Sequence, residues 1–227
     1  VKAIFFDAGG TLIHLDCARL RQLISDELGC ELALDGFPRA QCLAMDTVAR
    51  LAAEGVGTTD QLKRQFYTTL LPEIGLAADK LSDAVECALK LAQAEMLWRR
   101  ADPTTAPVLR ELKRRGFALG IISNADGRLE SSFAQAGLTE HFDFFVDSFL
   151  VGVEKPDPAI FRSALKQAGV APHEAAHVGD IYAVDVIGAR RAGLVPILYD
   201  PAEINPGADC LRIRQLEELL TLFPAPH

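Results

Sequence analysis

The chain has little of what would tie it to a disulfide framework, a membrane or a nucleic acid. Its five cysteines, Cys17, Cys30, Cys42, Cys87 and Cys210, are scattered, odd in number and form no Cys-x-x-Cys pair. That excludes a disulfide scaffold and a zinc site of the usual spacing, and it points to reduced thiols. No apolar run approaches the roughly 20 residues of a membrane span. The N-terminal run Ala3-Ile4-Phe5-Phe6 is too short for a signal peptide and leads straight into Asp7, so a cytoplasmic protein is expected. Positive charge is scarce as well: 23 Lys and Arg against 31 Asp and Glu leave a formal net charge of −8. Nucleic-acid and anionic-membrane surfaces need clustered Lys and Arg, so neither partner is expected. An anionic substrate would need a cation or a few placed basic groups. No internal repeat or low-complexity stretch is present. What remains, 227 residues of which 49% are hydrophobic, suffices for a sizeable core in one large domain or two modest ones.

The organising stretch is Val1 to Leu12. Ala3-Ile4-Phe5-Phe6 has the length of a strand buried on both faces. It stops on Asp7, and Gly9-Gly10 turns the chain away, with the hydroxyl of Thr11 behind. An acid at the carboxyl end of a buried parallel strand stands where open α/β sheets bind ligands.

From Asp16 to Arg100 apolar residues recur at helical spacing: Leu20, Leu23, Ile24, Leu28; Leu62, Phe66, Leu70; Leu81, Val85, Leu89, Ala92, Met96. Breaks fall at Gly29, Gly36-Phe37-Pro38, Gly55-Val56-Gly57 and Pro72 to Gly75. Helix-start chemistry appears at Thr58-Thr59-Asp60 and at Asp79 to Ser82. Four or five helices are expected, with the stripes as their own core. After Ala101-Asp102-Pro103 helix and strand alternate. Helices are read at Pro107 to Arg115, Gly127 to Ala136, Pro158 to Ala168 and up to Ala192, with a short one at the C-terminus. Strands are read at Phe117 to Ile122, Phe142 to Val146, Ala175 to Val178 and Val195 to Leu198, with a weak one at Ala208 to Ile213. Such alternation predicts a parallel sheet with helices on both faces. The first strand belongs to that sheet, so the helical segment is an insertion into one α/β domain.

Four strand ends then share one edge of the sheet. Asp7 follows the first strand, Ser123 the second, Lys155 lies in the loop after the third, and Asp180 with Asp185 follows the fourth. Carboxylates with backbone carbonyls suit a hard cation such as Mg²⁺. A carboxylate beside Mg²⁺ and an ammonium is a competent nucleophile for phosphoryl transfer.

These stretches stand in the sequence as Phe6-Asp7-Ala8-Gly9-Gly10-Thr11-Leu12, Ile121-Ile122-Ser123-Asn124, Glu154-Lys155-Pro156-Asp157-Pro158, and Val178-Gly179-Asp180 through Asp185 with Gly188-Ala189. In that order and spacing they resemble the four motifs of the haloacid dehalogenase-like (HAD) hydrolase superfamily. The helical insertion after the first motif resembles the C1 cap of subfamily IA. Ser123 to Glu130 and Ala176-His177-Val178-Gly179-Asp180 resemble the rhythmically-expressed-gene branch. The resemblance implies an α/β fold with a Rossmann-like parallel sheet. Its core would span residues 1–15 plus 101–227, and a helical-bundle cap residues 16–100. It implies Asp7 as nucleophile, forming an aspartyl intermediate, and Mg²⁺ held by Asp7, the Gly9 carbonyl and Asp180. Ser123 would donate to a transferring oxygen, and Ser123, Asn124 and Lys155 would bind the phosphoryl group. Lys155 would neutralise its charge, and Asp185 would orient Lys155 or a metal-bound water. The cap would close over the site and select a small phosphorylated substrate.

One position departs from the pattern. Most phosphatases of the superfamily carry a second aspartate two residues after the nucleophile, as general acid and base; here it is Gly9. The backbone carbonyl remains for the metal, and the proton shuttle is gone. The expectation is a slow or selective Mg²⁺-dependent phosphatase. The alternative is an impaired HAD-fold protein that binds a phosphorylated ligand or partner. Phosphonate cleavage ranks lower because no lysine lies between Lys2 and Lys63. Dehalogenation also ranks lower, because Asp180 keeps a metal-site carboxylate. His14 and Asp126 read as hinge and cap residues, His177 as a satisfied interior histidine, Arg99-Arg100 and Arg190-Arg191 as solvated helix ends, and Trp98 as packing where the insertion returns. A surface apolar stripe reads like a core one, so no oligomeric state is assigned.

Overall fold

A computed structural model of the chain describes residues 1–32, 36–54, 56, 59–94 and 97–224. Contacts divide the chain into two compact units, Val1–His14 with Arg100–His227, and Leu15–Arg99. In chain order come β1 (Ala3–Phe6), β2 (His14–Leu15), α1 (Cys17–Leu28), α2 (Phe37–Ala53), α3 (Thr59–Glu73), α4 (Leu81–Ala94) and β3 (Trp98–Arg100). Then follow α5 (Thr105–Arg114), β4 (Ala118–Ser123), α6 (Leu129–Gln135), β5 (Phe144–Asp147), α7 (Ser148–Val151), α8 (Pro158–Ala168), β6 (Ala175–Gly179), α9 (Ile187–Ala192), β7 (Val195–Tyr199), β8 (Leu211–Ile213) and α10 (Leu219–Leu222).

The larger unit is a six-stranded sheet in the order β5-β4-β1-β6-β7-β8, parallel at every pairing. β1 is central, and all four of its residues are buried. Its side chains alternate between the two faces, as the pleat requires. Ala3 and Phe5 join Ile122, Val146, Ile160, Phe161 and Ala189 in one core layer, which packs α8 and α9 onto the sheet. Phe5 meets Phe144 edge-on at 5.6 Å on this face. Phe6 points the other way, to Phe142, which stacks edge-on with Phe133 of α6 and Phe145 of β5. Fully burying a side chain of this size contributes about 1.5–3 kcal/mol, so both faces of β1 anchor the strand that carries Asp7.

The smaller unit has its own core, including Leu20, Ile24, Phe37, Phe66, Leu70 and Val85. α1 starts where the Asp16 side chain accepts from the Arg19 amide, and it ends at Gly29 in the left-handed region. Trp98 packs against Phe66 at a centroid distance of 5.8 Å. The Gly55 and Gly57 breaks, the Thr58 helix start and Met96 fall outside the described residues. Arg99 and Arg100 form a strand rather than a helix end, and Arg99 pairs with Asp16 at 3.0 Å. Among the described residues no helix is long and apolar enough to cross a membrane.

Candidate active site

The nucleophile candidate is held by the sheet itself. The Asp7 amide still donates to the Val178 carbonyl at 2.8 Å, so its backbone belongs to the β1–β6 ladder while its side chain emerges at the carboxyl edge. The chain then folds back at once: Leu12 and Ile13 both donate to the Ala8 carbonyl at 2.9 Å. Gly10 makes this possible. Its φ is +91°, and a Cβ there would lie 2.3 Å from Asp180 Oδ2; only glycine satisfies both conditions. Thr11, fully buried, donates from Oγ1 to Asp180 Oδ1 at 3.1 Å. The turn after β1 therefore cradles the carboxylate that follows β6.

Lys155 enters from the loop between α7 and α8. Its backbone is clamped by Asn124: the Lys155 amide donates to Asn124 Oδ1 at 2.7 Å, and Asn124 Nδ2 donates to the Lys155 carbonyl at 3.0 Å. The Asn124 amide is thus engaged in placing Lys155. The ammonium, 4% exposed, donates to Asp7 Oδ1 at 2.5 Å and to Asp185 Oδ1 at 2.7 Å. Asp185 lies in a π-helical turn, Tyr182–Val186, a local widening often found at functional sites. It comes this close because Gly179 has no side chain: a Cβ there would stand 2.2 Å from Asp185 Cγ. Its Oδ2 accepts from the Ile181 amide at 3.1 Å, and its Oδ1 also meets His177 Nε2 at 2.9 Å.

Ser123 ends β4, buried and one strand from Asp7, in register with Asp147 of β5. The loop after it is pinned from β5. Asp147 accepts from the Gly127 amide at 3.0 Å, and Ser148 Oγ accepts from the Ala125 amide at 3.1 Å. Asp7, Lys155, Asp180 and Asp185 are therefore one cluster, with Ser123 on the same sheet edge. His14 lies 3.6 Å from Asp102, Asp126 pairs with Arg128 at 2.6 Å, and Arg190 pairs with Asp209 at 2.8 Å. Three residues of this network carry no role in the sequence reading: Asp147, Ser148, and His177 as a partner of Asp185. The parity of β6 was a usable signal for the last, because positions 177 and 179 share a face.

Burial dominates the electrostatics. It pushes the Asp7 carboxyl up, with the Lys155 ammonium opposing and Asp185 adding to the push. Burial also drives Asp180 well above the ordinary carboxylate value, and the charges of Asp7 and Asp185 reinforce it. For Asp185 burial is overcome by Lys155 and His177, which hold its carboxyl below the usual range. Burial likewise works against the Lys155 charge and loses to Asp185 and Asp7, so the ammonium stays protonated. Burial lowers the His177 imidazole, against the pull of Asp185. One oxygen from each of Asp7, Asp180 and Asp185 lies within 4.8 Å of the others. Three carboxylates, two buried and that of Asp180 half-buried, against one ammonium leave a deficit of positive charge, and oxygen donors of this kind suit a hard divalent cation. Asp185 already receives three donors, so Asp7 and Asp180 are the carboxylates open to a metal.

A family model for haloacid dehalogenase-like hydrolases matches residues 1–193. Haloacid dehalogenase-like hydrolase domain-containing protein 3 of Mus musculus is 46% identical over 95 residues, which cover 42% of this chain and 38% of that protein. The chain thus spans well under half of that relative. Phosphoserine phosphatase of Thermus thermophilus is 32% identical over 246 residues, 96% of this chain and 98% of that protein. The rhythmically expressed gene 2 protein of Drosophila melanogaster is 30% identical over 138 residues, 57% of this chain and 53% of that protein. The fold matches that of the Bacillus subtilis HAD-hydrolase YfnB, solved with magnesium bound, at a TM-score of 0.71 and 20% identity over 98% of each chain.

Proposed function

Since this chain belongs to the haloacid dehalogenase-like hydrolase family, we propose that it is a Mg²⁺-dependent phosphatase acting on a small phosphorylated compound through an aspartyl-phosphate at Asp7. The observation that carries this reading is the Lys155 ammonium bridging Asp7 Oδ1 at 2.5 Å and Asp185 Oδ1 at 2.7 Å, beside Asp180. An ammonium so placed keeps the Asp7 carboxylate oriented and offsets the charge of an incoming phosphoryl group. Asp7, the Gly9 carbonyl and Asp180 would hold Mg²⁺, which when bound supplies further positive charge to the phosphoryl oxygens. The name of the Thermus relative, a phosphoserine phosphatase, supports the reaction class. The helical unit Leu15–Arg99 is read as the substrate-selecting cap.

An Asp7 oxygen attacks phosphorus, the bond to the leaving oxygen breaks, and the electron pair departs with the leaving group. Ser123 donates to a transferring oxygen. Water then attacks phosphorus, the Asp7–phosphorus link breaks, and inorganic phosphate leaves. Gly9 offers no proton to either step. Acid–base catalysis of this kind is worth about 10²- to 10⁴-fold, or roughly 3–5 kcal/mol of barrier. The first step therefore favours leaving groups that depart unprotonated, and the second is slow for every substrate. The phosphoenzyme accumulates.

The test is p-nitrophenyl phosphate with Mg²⁺, following product release and trapped phosphoenzyme together, with Asp7→Asn as control. Asp7-dependent product supports the reading, whether as a burst with trapped phosphoenzyme or as slow turnover. Rapid turnover of simple alkyl phosphates with no trapped intermediate sinks the Gly9 argument. Gly9 itself favours a second reading, a protein that binds a phosphorylated ligand without turning it over. No product and no phosphoenzyme, with Mg²⁺ shown to bind, would select it.

A further inference from the structure

His177 is an expensive residue where it stands. β6 is otherwise Ala175, Ala176, Val178 and Gly179, all buried, and an apolar side chain would fill position 177 without a polar atom to satisfy. The imidazole is 1% exposed, and its Nδ1 has no hydrogen-bond partner among the described residues. A buried polar atom left unpaired is destabilising and calls for an explanation. The other ring nitrogen gives one: Nε2 meets Asp185 Oδ1 at 2.9 Å, the same oxygen that receives Lys155 Nζ at 2.7 Å.

We propose that His177 is a positioning residue: as the neutral Nε2–H tautomer it donates to Asp185 Oδ1 and so fixes the carboxylate that aims the Lys155 ammonium at Asp7. The tautomer follows from the partners. Asp185 Oδ1 is an acceptor, so Nε2 carries the proton. Among the described residues Nδ1 faces no acceptor, so a second proton there would be a buried, unpaired donor. The ring cannot easily turn, because Phe161 closes on it edge-to-face at 5.0 Å and 90°. Asp185 then has both oxygens held, Oδ2 by the Ile181 amide and Oδ1 by His177. Lys155 meets a fixed acceptor rather than a side chain free to rotate. Without His177, Oδ1 has only the ammonium, and the two groups can drift together away from Asp7. Small displacements of this kind are costly when catalysis is mostly positioning. This positioning role rests on Asp7 being the reacting group.

Two variants and two readouts test it. His177→Phe keeps the ring volume and removes the donor; His177→Gln places an amide N–H near the position of Nε2. With p-nitrophenyl phosphate and Mg²⁺, His177→Phe should lose about 10- to 100-fold in kcat, the range for partners acting through another group. His177→Gln should recover most of the loss. NMR of the labelled imidazole and lysine ammonium in the metal-free protein supplies the second readout. The wild-type ring should show a protonated Nε2 and a bare Nδ1. The Lys155 ammonium signal should persist in wild type and His177→Gln and vanish by solvent exchange in His177→Phe. A wild-type ring protonated at Nδ1 overturns the proposal even if no variant folds, and so does a folded His177→Phe with an unchanged lysine signal. Equal loss of kcat in both variants also overturns it. Absence of any Asp7-dependent product in wild type refutes the phosphatase reading instead and leaves the NMR readout to decide the positioning role.

Discussion

Replacing Asp180 by Asn should make the metal-free protein more stable and the Mg²⁺-treated protein less stable than wild type. In the folded chain burial, Asp7 and Asp185 raise the Asp180 carboxyl well above its ordinary value. At pH 7.5 the unfolded chain ionises this group freely, whereas the fold resists it. Below the unfolded value of 3.8 both states are protonated and the penalty is absent; it grows as pH rises toward the folded value. Asparagine removes the charge and keeps an oxygen for the Thr11 hydroxyl, which donates at 3.1 Å. Relief of a destabilising functional group commonly yields about 0.5–2 kcal/mol. For chains of this size that is roughly 1–8 °C in Tm. Mg²⁺ reverses the order. A ligand that binds only the folded state adds about 2.7 kcal/mol at a hundred times its Kd, roughly 5–11 °C, and at the proposed site the variant lacks one of the two carboxylates. Scanning calorimetry in chelator and in saturating Mg²⁺ should therefore show the two melting temperatures crossing. A variant that melts below wild type in chelator would refute the electrostatic argument. An equal Mg²⁺ shift in both proteins would refute the metal site. Repeating the chelator scans near pH 4 should shrink the difference.

Lys155→Met leaves Asp7 and Asp185 buried without their shared partner; urea denaturation should register a loss of about 3–5 kcal/mol, and no phosphoenzyme should form. Asn124→Ala removes both bonds that clamp the Lys155 backbone. About 1–2 kcal/mol of stability should go with it, seen in the same urea titration, together with a lower kcat on p-nitrophenyl phosphate. Tyr67 sits in the core of the helical unit, and burial pushes its phenol up from 10.0 to about 12. Its contribution is complete below pH 10 and is lost as pH rises to 12, at about 1.4 kcal/mol per unit. Denaturation midpoints of Tyr67→Phe should fall less steeply over that interval than those of wild type; parallel curves would place Tyr67 in water.

The sheet was legible because its strands are short apolar runs alternating with helices, and because four of them end in chemistry at the same edge. Topology places Asp7, Ser123, Lys155, Asp180 and Asp185 at that edge, and the resemblance to the family supplies their expected roles. Strand limits moved by one to three residues: β4 extends through Ser123, and β8 shrinks to Leu211–Ile213. Periodicity does not fix where a ladder stops. The π-helical turn was invisible, because its cause lies in three dimensions: Asp185 must reach Lys155 past Gly179. Arg99 and Arg100 read as a helix end because two adjacent arginines carry no period, whereas pairing with Asp16 draws Arg99 into a strand. The clamp of Asn124 on Lys155 was equally hidden, since its hydrogen bonds join loops that sequence spacing does not relate.

β1 lies far along the chain from both strands that complete it. Its neighbours in the sheet are β4 and β6, which pair at Ala118 and Ala175 with Ala3. Until those segments emerge, the strand bearing Asp7 has two unpaired edges and an apolar side chain on each face, the features of an aggregation-prone segment. The intervening Leu15–Arg99 is built from consecutive helices, whose contacts are local and form quickly. Once folded, it brings its ends together as the β2–β3 pair, so the search of β1 for β4 runs over a short tether instead of a long loose loop. Folding of the helical segment thus shortens the loop that β1 must close to reach β4.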